Sequence, residues 1–333
     1  MKRLTFLLTL VFAAVATATA QRKMRTADLT SDTLLVHDPV MAYCHDTYHV
    51  FSTGRGIQHA TSRDMTTWTL HIEPTMSVIP KWTHDSVPGF RDHVWAPDII
   101  RYRNRWWLAY SCSTFGKNTS AIGLLSTSDL APGCIWNDEG PLVCSREGRD
   151  NWNAIDANFV VDDNDMPWLV FGSFWDGIQM VPLDSTMHIA DSGKQKTIAR
   201  RFPGKRENPV EAPFVFKHGG YYYLFVSRDY CCKGMDSTYK VVVGRSRKVD
   251  GPYLDRDGKD MAQGGGTLVI EGDKKEFEAA GHNSVYTVND KDIFLCHGYS
   301  VALGGTSILI NKELEWTEDG WPEVKNIIKE LKN

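Results

Sequence analysis

Residues 211–228 read EAPFVFKHGGYYYLFVSR. An acidic residue opens a short apolar run, His218-Gly219-Gly220 supplies a turn, and an aromatic-rich run returns, the pattern of a β-hairpin. The same design recurs from Asp38 (DPVMAYCHDTYHVFSTG), Asp98 (DIIRYRNRWWLAYSCS), Asp156 (DANFVVDDNDMPWLVFGSF) and His282 (HNSVYTVNDKDIFLCHGYS). The five openings, Asp38, Asp98, Asp156, Glu211 and His282, lie 60, 58, 55 and 71 residues apart. Further strand-like stretches follow the hairpins, among them SAIGLLSTSDL at 120–130, STYKVVVGRSRKVDGPY at 237–253 and GTLVIEG at 266–272. Short strands repeated at this period predict an all-β fold, a five-bladed β-propeller whose radial sheets surround a channel. A two-sheet sandwich would not need a polar residue to restart each unit. Only EVKNIIKELKN at 323–333 carries a helical period, and it reads as a short closing helix.

The chain begins MKRLTFLLTLVFAAVATATAQ, with a basic start, an apolar run and small residues before position 21. That order predicts a signal peptide over 1–20, a single propeller over 21–333, and export to the periplasm or the medium. The apolar run is too short for a membrane span. The formal charge of −4 comes without a basic block, which disfavours a nucleic-acid partner. With 11 Trp, 12 Tyr and 14 Phe, the composition suits a neutral ligand that stacks on rings, such as a sugar. Nothing in the sequence sets the oligomeric state.

Seven cysteines leave at least one thiol unpaired within the chain. Cys134 and Cys144 flank an expected turn at Asn137–Gly140 and read equally as a bridge or as two buried thiols. No spacing forms a zinc motif. Cys231 and Cys232 are adjacent with no His in their motif, which points to a structural role rather than a nucleophile.

In a propeller the residues that open the inner strands meet near one mouth of the channel. Four carboxylates and a His gathered there would perturb one another, raising some pKa values and holding others down. Glycoside hydrolysis needs that division between a protonated acid and an ionised carboxylate. Glu211, between Pro209 and Pro213, suits the acid; Asp38, beside His37, suits the base. For an isolated Asp-Pro such as Asp38-Pro39 a capped turn or a surface ion pair is the preferred reading, and only the repeat favours the catalytic one.

The segments VWAPDI (94–99), STFGKNTSAIGL (113–124), NAIDANF (153–159), GSFWDGI (172–178), EAPFVF (211–216), CCKGMDSTYKVVVGRS (231–246) and GGGT (264–267) occur in order between His37-Asp38-Pro39 and Gly320-Trp321-Pro322. In these the chain resembles glycoside hydrolase family 43, and within it the endo-acting α-1,5-L-arabinanases. The resemblance implies inverting hydrolysis of arabinan or arabino-oligosaccharides, with Asp38 as base, Glu211 as general acid and Asp156 as the carboxylate that tunes the acid. It implies substrate contacts from His37, Trp95, Phe115, Gly116, Asn153, Ala154, Ile155, Ser173, Phe174 and Trp175. Trp95, Phe174 and Trp175 read equally as core packing. It implies that His282 holds a calcium ion together with waters, although calcium ordinarily prefers oxygen ligands. Asp98 is expected to hydrogen-bond the channel floor rather than to catalyse. Asp176 departs from the family's usual Gly and would add a sugar contact at the cleft edge. Two other readings stay open: an exo-acting relative (arabinanase, arabinofuranosidase or β-xylosidase), and a non-catalytic sugar-binding propeller.

Overall fold

A computed structural model describes residues 27–205 and 207–327; the leader at 1–20 lies outside them. Short antiparallel strands form five sheets, each from one contiguous stretch apart from the two-residue strand β4. Blade 1 holds β1 (Leu29–Ser31), β2 (Val40–Cys44), β3 (Thr47–Ser52), β5 (Gln58–Ser62) and β6 (Trp68–Leu70), while β4 (Gly54–Arg55) crosses to pair with blade 2. The six-residue helix α1 (Lys81–Ser86) follows. Blade 2 holds β7 (His93–Tyr102), β8 (Arg105–Cys112), β9 (Ser120–Thr127) and β10 (Asn137–Ser145). Blade 3 holds β11 (Asn158–Val161), β12 (Pro167–Phe171), β13 (Ile178–Pro182) and β14 (Lys196–Ala199). Blade 4 holds β15 (Val210–His218), β16 (Tyr221–Arg228), β17 (Lys240–Ser246) and β18 (Thr267–Glu271). Blade 5 holds β19 (Phe277–Val288), β20 (Lys291–Ser300), β21 (Thr306–Trp316) and β22 (Pro322–Ile327). The inner strands β2, β7, β11, β15 and β19 each touch the next, and β19 touches β2, which closes the ring of a five-bladed β-propeller.

The strand period of two explains why the blades stack. Phe159 faces blade 2, packing with Tyr102 and Trp107, while its neighbour Val160 faces blade 4, packing with Val215 and Leu224. Both faces of a blade are thus buried, and an apolar cluster fills each of the five gaps between blades. The last gap is closed without a shared strand among the described residues. Instead Leu309 N donates to Leu34 O (2.9 Å), Asn311 Nδ2 to Met65 O (2.8 Å), and Ser307 Oγ to Val36 O.

Three local expectations need correction or completion. Where a closing helix was expected, residues 322–327 form β22, the outer strand of blade 5. Val324 packs against the blade 4–5 cluster, so burial overrides the weak helical period, and Pro322 takes the first position of an edge strand. Residues 137–140 are not a turn but the start of β10, where Gly140 (φ 85°) absorbs a bulge. Cys134 and Cys144 are free, whereas Cys231 and Cys232 form a vicinal disulfide.

Candidate active site

Each inner strand is entered through one residue with positive φ: Asp38 (54°), Ala96 (45°), Asp156 (57°), Ala212 (51°) and His282 (54°). β-bulges bracket Ala96, Ala212 and His282. These five are the true equivalents, 58, 60, 56 and 70 residues apart. The sequence reading therefore mixed three positions: Asp38, Asp156 and His282 occupy the bend, Glu211 precedes it by one, and Asp98 follows it by two. A bulge re-aims side chains, so the offset lets Glu211 approach the site from a different direction than Asp38 and Asp156.

The N–H of four of the five bend residues is met by a side chain at the end of the previous blade's second strand. Ala96 N donates to Thr53 Oγ1 (2.9 Å), Asp156 N to Ser111 Oγ (3.1 Å), His282 N to Ser227 Oγ (2.8 Å) and Asp38 N to His297 Nδ1 (3.1 Å). Blade 3 has Gly172 at that position, whose N–H pairs with Ile155 O. A Cβ on Gly172 would lie 2.5 Å from Gly177 O, so no hydroxyl can stand there. The Ala212 N–H turns instead to Asp156 Oδ2 (3.1 Å).

Asp38 and Asp156 are buried and Glu211 half-buried, and their proton affinities are pushed in opposite directions. Burial opposes ionisation of Asp38, but the His37 and His282 imidazoles outweigh it and hold its pKa well below the ordinary value. His37 Nδ1 and His282 Nδ1 stand 2.9 and 3.0 Å from Asp38 Oδ1, and Thr53 Oγ1 donates to Oδ2 at 2.5 Å. Asp156 is pushed up to about 8, by burial first and then by the Glu211 and Asp38 charges, against the pull of His282. Burial and the Asp38 charge also raise Glu211, while hydrogen bonds from Ser173 and Tyr239 restrain it. Ser173 Oγ donates to Glu211 Oε2 at 2.7 Å. Burial works against charge on His282, yet the surrounding carboxylates, Asp38 foremost, raise it to about 9. A carboxylate held ionised by its imidazoles and a coupled pair of raised proton affinity thus share one mouth of the channel.

The remaining expected positions divide. His37 is half-buried, stacks on His297 (3.9 Å between centroids) and bonds Tyr299 Oη through Nε2 (3.1 Å). Trp95 is half-buried, and its Nε1 donates to His93 Nδ1 (3.0 Å). Phe115 is 80% exposed on the turn formed with Gly116, free to meet a ligand. Asn153 is buried with Oδ1 accepting from Ser120 Oγ (2.7 Å), and Ala154 lies wholly in the blade 2–3 core beside the buried Ile155. Phe174 and Trp175 are half-buried, and Phe174 tilts against Tyr230. Asp176 is engaged within the chain: Arg200 Nε and Nη2 both donate to it at 2.9 Å, and Thr197 Oγ1 donates at 2.7 Å. Asp98 accepts from Phe159 N (2.7 Å) and Asn158 Nδ2 (3.4 Å), binding blade 2 to blade 3 as expected of a structural acid.

A calcium ion at His282 would find one side-chain donor, Nε2, because Nδ1 is engaged by Asp38. Among the described residues, no cluster of three or more His, Cys, Asp or Glu ligand atoms includes His282. That donor set fits a largely hydrated ion, not a protein cage of oxygens.

The model of "Glycosyl hydrolases family 43" matches residues 33–322. The chain belongs to that family. Among family 43 relatives, it is 41% identical over 302 residues to an extracellular exo-α-(1→5)-L-arabinofuranosidase of Cellvibrio japonicus, covering 87% of this chain and 86% of that one. It is 40% identical over 294 residues to an extracellular endo-α-(1→5)-L-arabinanase of Bacillus subtilis, covering 86% and 87%. An exo-1,5-α-L-arabinanase structure from a bovine ruminal metagenomic library superposes with a TM-score of 0.86 at 46% identity, covering 89% of this chain and 98% of that one.

Sequence reasoning missed four residues of this family 43 site. Thr53 and His297 bond Asp38, Tyr239 bonds Glu211, and Tyr299 bonds His37. A usable signal existed for two of them. Thr53, Ser111, Ser227 and His297 sit at one repeated position, the end of the second strand, where each unit carries a polar residue except at Gly172.

Proposed function

We propose that this enzyme cleaves α-1,5-linked L-arabinan within the chain and with inversion. The reading rests above all on Asp38, held ionised by two imidazoles, sharing a site with Glu211 and Asp156, whose proton affinities are raised. Asp38 takes a proton from water as the water oxygen attacks the anomeric carbon. Glu211 gives its proton to the departing glycosidic oxygen. Asp156, bonded to the peptide that follows Glu211, keeps the acid in place and adds to its proton affinity. Inversion calls for a separation of about 6.5–9.5 Å between base and acid, room for that water. Trp95, Phe115, Phe174 and Trp175 would supply ring contacts for furanose units.

In the same reading His282, in its neutral form, would offer Nε2 to a hydrated calcium ion, whose charge would offset carboxylate repulsion. Chelation should then lower activity more than it lowers Tm. Export through the leader at 1–20 is supported by relatives named extracellular. No helix among the described residues is long and apolar enough to cross a membrane.

An exo-acting enzyme with the same acid and base is the second reading, favoured by the exo relatives named above. A time course on linear arabinan, with branched arabinan and xylan alongside, separates them. A ladder of oligosaccharides supports internal cleavage; one early short product overturns it. No release from any arabinan overturns both.

A further inference from the structure

We propose that Cys44, His45 and Asp129 form a zinc site joining blades 1 and 2. Cys44 ends β2 and His45 opens the turn to β3, while Asp129 follows β9. No sequence spacing links them; folding does. Cys44 Sγ lies 3.4 Å from His45 Nδ1, which lies 3.9 Å from Asp129 Oδ1. All three donor atoms fall within 4.8 Å of one another. Zinc bond lengths set tetrahedral edges of roughly 3.3–3.6 Å, so small side-chain movements suffice.

The donors have the right character and are already held. A thiolate, an imidazole and a carboxylate select zinc or a similar transition metal over calcium or magnesium. Leu130 N (2.7 Å) and Ala131 N (3.2 Å) both donate to Asp129 Oδ1, which fixes the carboxylate in place and leaves Oδ2 as its unoccupied oxygen for a metal. His45 and Asp46 both take positive φ (49° and 54°), which turns the chain tightly enough to lay the imidazole beside the preceding thiol. The metal would replace the thiol proton, and the exposed side of His45 leaves a fourth position for water. β2 runs five residues, on the order of 16 Å, from the end near Asp38 to Cys44. The site is therefore a cross-link between blades and not part of the hydrolytic centre.

The test uses tag-free protein freed of metal by a chelator and then titrated with Co2+ followed by Zn2+. A C231S/C232S background removes the vicinal cysteines beside His37, whose disulfide would become a competing thiol pair if reduced. The expected result is saturation at one equivalent of Co2+, a thiolate-to-cobalt charge-transfer band, its loss when Zn2+ is added, and a zinc-induced rise in Tm of about 3 °C or more. The band and the Tm rise should vanish in C44S, and cobalt should bind more weakly in H45A and D129N. H45A changes an exposed side chain, so it reports on binding even should C44S fold poorly. C44S should retain its rate on arabinan without metal at this site. Absence of a saturable band, or a band that persists undiminished in both C44S and H45A, overturns the proposal.

Discussion

Asp156 Oδ2 accepts the backbone N–H of Ala212, the residue next to Glu211, at 3.1 Å. This bond exists because Gly172 leaves the place that a hydroxyl or imidazole fills in the other blades. It couples two carboxyl groups mechanically as well as electrically. Asp156→Ala would orphan a buried N–H and should cost about 1–3 kcal/mol of stability in urea unfolding. Asp156→Asn keeps an acceptor and should cost less, while still lowering kcat because the shared proton affinity is lost. Equal stability losses in the two variants would argue against the bond.

Ser173 donates to Glu211 and favours its ionised form. Removing that hydroxyl must raise the pKa of the acid further. The alkaline limb of kcat/KM, where the acid loses its proton, should therefore move to higher pH in Ser173→Ala. A limb that stays in place or moves down would show that another group sets it.

Asp98 carries the opposite kind of shift from Asp38. Burial, only partly offset by hydrogen bonds from Phe159 and Asn158, pushes it from 3.8 to about 7. The folded state thus binds this proton more tightly than the unfolded chain does. Stability from that proton is full below about pH 4 and lost as pH rises towards 7, with a ceiling of about 4 kcal/mol. Asp98→Asn keeps an acceptor for Phe159 N without the charge. Its stability relative to wild type should rise steadily across this interval, as read by denaturant midpoints.

Gly281 packs under the ring that bonds Glu211. A Cβ there would stand 2.1 Å from Tyr239 Cδ1. Tyr239 is buried, so the ring must shift within a packed core and Gly281→Ala should cost about 1–3 kcal/mol. Displacing Tyr239 should also lower kcat, measured well below the new Tm.

The propeller was legible because period-two strands with both faces apolar leave the same mark five times, as in Phe159 and Val160. The register at the bends was not. Ala96 and Ala212 adopt the same bend as Asp38 and carry no polar marker, so the nearest acid was taken in their place. Long-range pairings were also hidden: His297 meets Asp38 across 259 residues, and Arg200 claims Asp176 from the next strand but one. The sequence marks Cys231 and Cys232 only as structural; their disulfide, and the bond from the Cys232 N–H to Tyr299 Oη (2.7 Å), belong to the folded chain alone.

Asp38 and Glu211 divide the work of base and acid, a division that two substrates can separate. It is tested most directly by assaying Asp38→Asn and Glu211→Gln on linear arabino-oligosaccharides and on a dinitrophenyl arabinoside. The second substrate has a leaving group that departs without a proton. Glu211→Gln should lose about 10²–10⁴-fold on the oligosaccharide but remain within about tenfold of wild type on the activated substrate. Asp38→Asn should fail on both. Retention of activity by Asp38→Asn, or an equal loss by Glu211→Gln on both substrates, would contradict the assignment.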